Sequence, residues 1–512
     1  MKSAIPWKIA AVLLIAALAL LSLSYLTAHE LHPDEAHYWS WSRHPAAGYF
    51  DNAPMVAYIV RLSTGLLGKS EFAMRFPSWL VYCILIVLAF LFARRVYGSG
   101  RAGLIAAVLF ATTPIFLVCN FLITSDTGKV LFAALAMIFA YMAAVEGKRG
   151  FWLPAGAALG LGLLSKYQAV LVGFSILLFL IFTKEGRRWL RTPWPYLAAL
   201  LALLIFSPVI VWNWRNDWVS FRFQLSHGFH GKALQPLGPI IFLLGQAVAL
   251  SPLPSASFVR AAARTIGKRG ERPARDVFLL FCSLPTPLFF ALTSLRFLGD
   301  MHWSIDALFP AVVLLGGWIE RAWREAAGRR RRNLRVYWAT AVAFSLLLAG
   351  IVRYPEFLRA GGLLRAGDLP TSYLHGWSGL GRAIDRIADR EFPGKNGVPV
   401  FVPSYQLGGE VSFYTRDRRL AFLAAPLARR NQFDQYVLAG IGKYAGRGGL
   451  LLATQDGFAG RLVPRFFRGA KLVGMYRRTR FGETLDVFHI FRVDGIKAEA
   501  IRRAVAQKPL GL

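Results

Sequence analysis

Apolar runs close to twenty residues long recur from the amino terminus to about residue 352, and this repetition restricts the fold more than any other feature. A helix needs roughly 20 such residues to cross a bilayer, where its backbone must satisfy its own hydrogen bonds. The runs predict spans near 9–27, 76–93, 103–123, 128–145, 151–165, 167–183, 195–212, 238–255, 277–294, 303–319 and 335–352, about eleven in all. Of the 512 residues 55% are hydrophobic and 17% charged, against about 25% charged in soluble domains. Most of the chain therefore belongs in lipid. The first run follows Lys2 and Lys8 but no small-x-small cleavage site follows it, so it reads as a retained span. The segment 53–67 is apolar but short, bounded by Gly65 and Gly68, and reads as a re-entrant or interfacial helix.

The connections carry the sign of the charge. Arg94, Arg95 and Arg101 fall in one, Lys148 and Arg149 in another, and Lys184, Arg187, Arg188 and Arg191 in a third. Arg260, Arg264, Lys268, Arg269, Arg272 and Arg275 follow, then Arg321, Arg324, Arg329, Arg330, Arg331, Arg332 and Arg335. If the spans alternate, all lie on one side, and the positive-inside rule makes that side cytoplasmic, together with the amino terminus. Orientation and anionic headgroups thus account for the net charge of +32, and no nucleic-acid motif accompanies it. Cys83, Cys119 and Cys282 lie inside apolar runs and make no CxxC pair, which argues against a disulfide framework or a thiolate zinc site.

After Arg353 hydrophobicity turns local and alternating. Runs at 398–402, 450–453 and 485–493 read as strands, and 376–388, 406–414 and 495–506 as helices. The expected fold is an α-helical polytopic membrane domain, residues 1–352, followed by a soluble α/β domain, residues 353–512. An odd number of spans places that second domain outside the cytoplasm.

The outer connections hold different material. The first reads Leu31-His32-Pro33-Asp34-Glu35-Ala36-His37-Tyr38-Trp39-Ser40-Trp41-Ser42, then Gly48-Tyr49-Phe50-Asp51-Asn52-Ala53-Pro54-Met55. Pro33 suits the first turn of a helix, and acids there suit its dipole. Such a helix puts Asp34, His37, Tyr38 and Trp41 on one face and turns Glu35 about 100° away. Asp34 is then the candidate base, and Glu35 a structural acid binding the helix or a cation. An interfacial helix with an aromatic belt is the plain alternative. Asp126 is a candidate ligand for sugar hydroxyls, or a helix-end acid paired with Lys129. Lys166, Arg61, Arg75 and Arg296 are candidate phosphate contacts or interfacial anchors. Tryptophans from Trp212 to Trp218, with His227, His230 and His302, complete the outer set. His29, His32 and His37 have a spacing that leaves a divalent cation open, but the sequence fixes no further ligand and no cofactor is required. A base, cations for a departing phosphate and a surface for a sugar are what transfer from a lipid phosphate needs.

Asp-Glu-Ala-x-Tyr-Trp-x-Trp-Ser at 34–42, Gly-Tyr-Phe-Asp-x-x-Pro-Met at 48–55, Arg75-Phe76-Pro77, Asp126, Leu164-Ser165-Lys166-Tyr167 and Trp212-Asn213 together resemble glycosyltransferase family 39. That family has the GT-C fold and includes protein O-mannosyltransferases and lipid A aminoarabinose transferases. The likeness runs in order over about the first 220 residues, then more loosely through His302-Trp303 and the 404–414 stretch. It implies an inverting transferase with a polyprenyl-phosphate sugar donor, working at the outer face of a bacterial inner membrane. The implied acceptor is lipid A or another cell-envelope glycan, lipid or protein. Asp34, Glu35 and Asp126 take the catalytic positions. Tyr38, Trp41, Tyr49, Asp51, Arg61, Arg75, Lys166, Tyr167, Arg296 and His302 become substrate-binding candidates, with no metal ligand assigned. Two positions depart from the bacterial pattern: Asn52-Ala53 replaces a usual His-Pro, and Ser125 a usual Pro.

A transporter or flippase would instead place ionisable groups near the midplane, on broken helices in repeated halves. A receptor-like binding protein would account for the outer domain but not for the Asp34 motif.

Overall fold

The computed structural model describes residues 7–229, 233–267, 272–416, 421–423, 430–454 and 456–508; His230, Lys268, Arg269 and the side chain of His227 lie outside them. Among the described residues seven helices are long and apolar enough to cross a membrane: Trp7–Tyr25, Glu71–Tyr97, Ser125–Ala144, Trp194–Arg215, Ala274–Thr293, Met301–Glu325 and Gly328–Arg353. Two bent pairs, Tyr167–Phe182 with Lys184–Leu190 and Gly238–Leu250 with Pro252–Ile266, bring the number to nine. The chain is an integral membrane protein. Each apolar run in the sequence lies on one of these helices or on the shorter Gly100–Thr112 and Trp152–Ser165.

The shortening has local causes. Pro114 excludes the helical conformation at Thr113, so the third run divides into Gly100–Thr112 and Pro114–Cys119. Ser251, at φ 84° and followed by Pro252, turns the chain by 108°. Met55–Leu67 has 13 residues and buries Val56, Ala57, Val60 and Ser63 on one side, which is too short to span.

The two ends of the bundle differ in chemistry. At the basic end Arg95 pairs with Glu146 at 2.6 Å, Tyr97 donates to Asp276 at 2.9 Å, Trp189 donates to the Ala144 carbonyl at 3.1 Å, and Ser99 meets Glu320. These contacts gather the arginine-rich connections on one side. Phe92, Phe110, Phe179, Phe278 and Phe309 fill the core between the ends. The other end carries the 26–54 connection and supports the α/β domain.

That domain is a five-stranded mixed sheet of order β2-β1-β3-β5-β4, with β1 (Val400–Val402), β2 (Ala421–Leu423), β3 (Gly449–Ala453), β4 (Gly469–Arg480) and β5 (Glu483–Asp494). β1 runs parallel to β2 and β3, while β5 is antiparallel to β3 and β4. The β4–β5 hairpin closes through Phe481 and Gly482, at φ 51° and 80°, the pair of positive angles that a tight two-residue turn demands. Strands β1, β3 and β5 and the helices Trp377–Glu391, Tyr405–Tyr414 and Ala498–Ala506 fall on the runs read from the sequence. β4 does not: its basic, half-exposed pattern lacks the apolar alternation of a half-buried strand.

The domain is locked onto the first connection. Gly409 lies so close to the helix Pro33–Arg43 that a Cβ there would stand 2.7 Å from the His37 backbone nitrogen. Tyr414 accepts from the Leu31 N–H at 2.8 Å and donates to Glu71 at 3.0 Å. Glu30 accepts from the Trp377 and Ser378 N–H groups, at 2.6 and 3.1 Å, and so caps the positive end of the Trp377–Glu391 helix.

Candidate active site at the domain end of the bundle

The helix Pro33–Arg43 is fixed at its start by a reciprocal cap. The His32 ring accepts from the Asp34 N–H at 3.2 Å, and Glu35 reaches back to the His32 N–H at 2.9 Å. Glu35 then does more than cap. It pairs with Arg75 at 2.7 Å and accepts from the Ile123 N–H at 3.1 Å, with both side chains buried. Arg75 spends its remaining donors on the carbonyls of Leu26, His29 and Glu30, at 3.2, 2.8 and 2.7 Å. The guanidinium thus clamps the 26–35 connection to the second span, and no open face remains for a ligand.

Asp34 is different. Its side chain is 48% exposed, with the His32 ring 3.8 Å away. Tyr38, one turn on, faces Ser125 and lies within electrostatic reach of Asp34, Asp126 and Asp51; burial and then these carboxylates push its phenol above the usual range. His37 Nε2 stands 3.4 Å from Asp51, and its ring stacks on Phe433 of the α/β domain at 5.5 Å. Trp41 and Tyr49 stack on each other at 4.4 Å and are buried.

Asp126 opens the Ser125–Ala144 span, where the Thr124 hydroxyl caps its N–H at 3.2 Å. Its carboxylate holds Lys129 at 2.9 Å and Lys166 at 2.7 Å, with His302 at 3.6 Å. Lys129 is fully buried and also meets Asp306 at 3.1 Å and the Trp303 carbonyl at 2.9 Å. Its three N–H donors are therefore used. Lys166 has Asp126 as its acceptor among the described residues, which leaves two donors at the rim. Gly128 makes this meeting possible: a Cβ there would stand 2.6 Å from the Ser165 hydroxyl, next to Lys166.

The structure thus brings Asp34, Tyr38 and Asp51 to one cluster and Asp126, Lys166 and His302 to an adjoining one. It does not bring in Arg61, which is exposed and donates to the Ser42 carbonyl at 3.0 Å, nor the exposed Arg296. Tyr167 packs instead against Phe221 and pairs with Ser220 at 2.9 Å. Asn52 and Ser125, the two departures noted in the sequence, touch: the Asn52 amide donates to the Ser125 hydroxyl at 3.1 Å. Asp306 and the bridging role of Lys129 went unread, although an acid inside an apolar run is itself a signal. Among the described residues no three His, Cys, Asp or Glu side chains converge as metal ligands; His29, His32 and His37 point to separate partners.

One pH response follows from the docking contact. Glu410, on the helix Tyr405–Tyr414, is buried, and neither carboxyl oxygen accepts a hydrogen bond from a described residue. Burial raises it well above the usual carboxyl range, helped by Glu30 and Glu35 and opposed by Arg478 and Arg75; the neighbouring Tyr414 phenol is itself pushed up by burial and stays neutral. A raised carboxyl holds its proton in the folded state, so stability is full below the ordinary carboxyl range and falls as pH rises through the raised value. Glu410→Gln is expected to flatten this part of a thermal-melt series taken from pH 5 to 9. An unchanged slope would remove Glu410 as its source.

Known proteins share part of this sequence and its fold. Residues 51–212 match the dolichyl-phosphate-mannose-protein mannosyltransferase family. A lipid A galacturonosyltransferase, RgtD of Rhizobium johnstonii, is 25% identical over 62% of this chain and 63% of its own. An undecaprenyl phosphate-alpha-4-amino-4-deoxy-L-arabinose arabinosyl transferase of Pseudomonas paraeruginosa is 26% identical over 61% of this chain and 60% of its own. The chain thus spans about three-fifths of the length of the curated relatives it matches. In structure it is similar to ArnT from Cupriavidus metallidurans bound to undecaprenyl phosphate, with a TM-score of 0.64, 18% identity and coverage of 94% of this chain and 97% of that one. The archaeal oligosaccharyltransferase AglB from Archaeoglobus fulgidus superposes with a TM-score of 0.52 at 13% identity, over 87% of this chain and 69% of that one. The matched segment and the superposition together show that this membrane protein has the fold of ArnT and AglB.

Proposed function

We propose that the chain transfers a sugar from a polyprenyl-phosphate donor to a hydroxyl or phosphate of a cell-envelope acceptor, at the outer face of a bacterial inner membrane. The observation that carries this reading is that the exposed carboxylate of Asp34 and the Asp126–Lys166 pair both lie near Tyr38, whose phenol feels both carboxylates. Asp34 takes the proton of the acceptor hydroxyl as its oxygen bonds to the sugar carbon. The bond from that carbon to the phosphate oxygen breaks, and the phosphate leaves with the electron pair toward Lys166 and His302. Asp126 holds Lys166 at the rim and Lys129 below it. Arg75 and Glu35 position the helix that bears Asp34. The relatives favour lipid A as the acceptor class, since one is named for it and others for an undecaprenyl-phosphate donor.

The test is transfer of radiolabel from an undecaprenyl-phosphate sugar to lipid A by the purified protein in nanodiscs. Label moved to the acceptor supports the reading; donor left intact with both galacturonosyl and aminoarabinosyl donors overturns it. Orientation has its own test. The basic end fits the cytoplasm, so an alkaline phosphatase fused after Leu512 is expected to be active and a green fluorescent fusion dark. The reverse result would place the α/β domain inside.

A further inference from the structure

A cavity of about 500 Å³ opens between the end of the first span, the segment that leaves the last span, and the β4–β5 hairpin. Tyr25 and His29 line one side, Tyr354, Glu356 and Phe357 the second, and Arg480 the third. None of them takes part in the chemistry derived above.

The lining carries no net charge. Arg480 pairs with Glu356, and Thr371 stitches the pair, donating to Glu356 at 2.8 Å and accepting from Arg480 at 2.7 Å. Burial, with His375 and Arg75 nearby, lowers His29 to about 4, so its ring is neutral at physiological pH. Around these planar polar groups stand aromatic faces: Tyr354 meets Tyr25 edge-on at 5.4 Å, and Phe357 is 75% exposed at the mouth. A phosphate would call for surplus positive charge. The Arg353 guanidinium lies behind the Tyr25 ring, 4.1 Å from its centroid, and is not part of the lining; a guanidinium–carboxylate pair between aromatic rings suits sugar hydroxyls and the apolar faces of a sugar ring.

The mouth is built to meet a lipid interface. Arg353 ends the last span, so Phe357 sits four residues beyond it, at headgroup depth. Leu363 is 72% exposed in the same segment, and Phe481, under the Arg359 guanidinium at 4.7 Å, is 50% exposed. Large apolar side chains left bare beside a span end are accommodated by the membrane interface.

On its His29 side the cavity abuts the connection that bears Asp34. His375 packs edge-on against His29 at 5.0 Å, and Tyr373 lies 6.0 Å from the His32 ring, which stands beside Asp34. His29 Nδ1 and His375 Nε2 are buried there with no hydrogen-bond partner among the described residues.

We propose that this cavity binds the sugar headgroup of a glycolipid acceptor, which enters sideways from the membrane past Phe357 and presents its hydroxyl to Asp34. The acceptor role rests on the transfer reading; the binding does not. Dephosphorylated lipid A, an uncharged glucosamine disaccharide on acyl chains, is the probe, with phosphatidylglycerol as the comparison lipid. Its binding to the full-length protein in nanodiscs is expected to weaken at least tenfold in Tyr354→Ala and in Phe357→Ser, the latter at an exposed position whose change spares the fold. Phosphatidylglycerol and undecaprenyl-phosphate binding are expected to stay the same. If transfer is measurable, KM for the acceptor rises while kcat is kept. Undiminished glycolipid binding in both variants, an equal loss for phosphatidylglycerol, or no binding by the wild type overturns the proposal. Variant-sensitive glycolipid binding by a protein that transfers no sugar would retire the transfer reading and leave the cavity assignment standing.

Discussion

Asp34→Asn is expected to abolish sugar transfer while the protein inserts and folds as before. The side chain is 48% exposed and makes no buried ion pair, so the amide costs the fold little. What is lost is the ability to take a proton. General base catalysis contributes roughly a hundredfold to ten-thousandfold, and the loss should fall within that range or beyond it. The measurement is turnover per folded molecule, with size exclusion and thermal melting to show that the variant is intact. Turnover within a few-fold of wild type would take Asp34 out of the chemistry and leave Asp126 as the carboxylate to test. Asp126, however, already holds two lysines, and a carboxylate so engaged is a poor base.

The second large effect separates two cations that look alike in the sequence. Arg75→Ala is expected to remove folded protein rather than slow it. Its partner Glu35 would be left charged and buried, and breaking a buried pair in this way costs about 3–5 kcal/mol. Three backbone carbonyls would lose their donor as well. Arg75→Lys should fare little better, since a point charge cannot reproduce the fork that serves Glu35 and the carbonyls together. Lys166→Ala should behave in the opposite way. Asp126 keeps Lys129, so folding survives, but turnover falls because the rim cation is gone. Lys166→Arg should keep part of the activity. Folded yield and activity per folded molecule, measured side by side, decide the matter. A well-folded but inactive Arg75→Ala would make Arg75 a donor contact, and a fully active Lys166→Ala would remove Lys166 from the phosphate site.

This division between Arg75 and Lys166 also marks where reading the sequence stops. The membrane architecture was legible because apolar length and basic connections are local, additive signals. The helix Pro33–Arg43 was legible because Pro33, the acids of its first turn and its amphipathic spacing all act within a few residues. The three apolar strands β1, β3 and β5 showed in the same way, whereas β4, half exposed and basic, carried no such mark.

What each charged side chain does was decided by tertiary contact. Arg75 and Lys166 both sit next to apolar runs, and nothing within a turn of either distinguishes a clamp from a rim cation. The difference comes from Glu35, forty residues from Arg75, and from Asp126, forty residues from Lys166. Nothing local in the sequence marks Gly128 or Gly409; only the fold sets Ser165 and the His37 backbone against them. The sequence by itself determined that the chain crosses a membrane, ends in an α/β domain and carries Asp34 at the start of a helix in its first connection. Only the tertiary structure decided which cations are spent and which are free, because a charge in a low-dielectric interior is defined by the partner that neutralises it, and chain order does not name that partner.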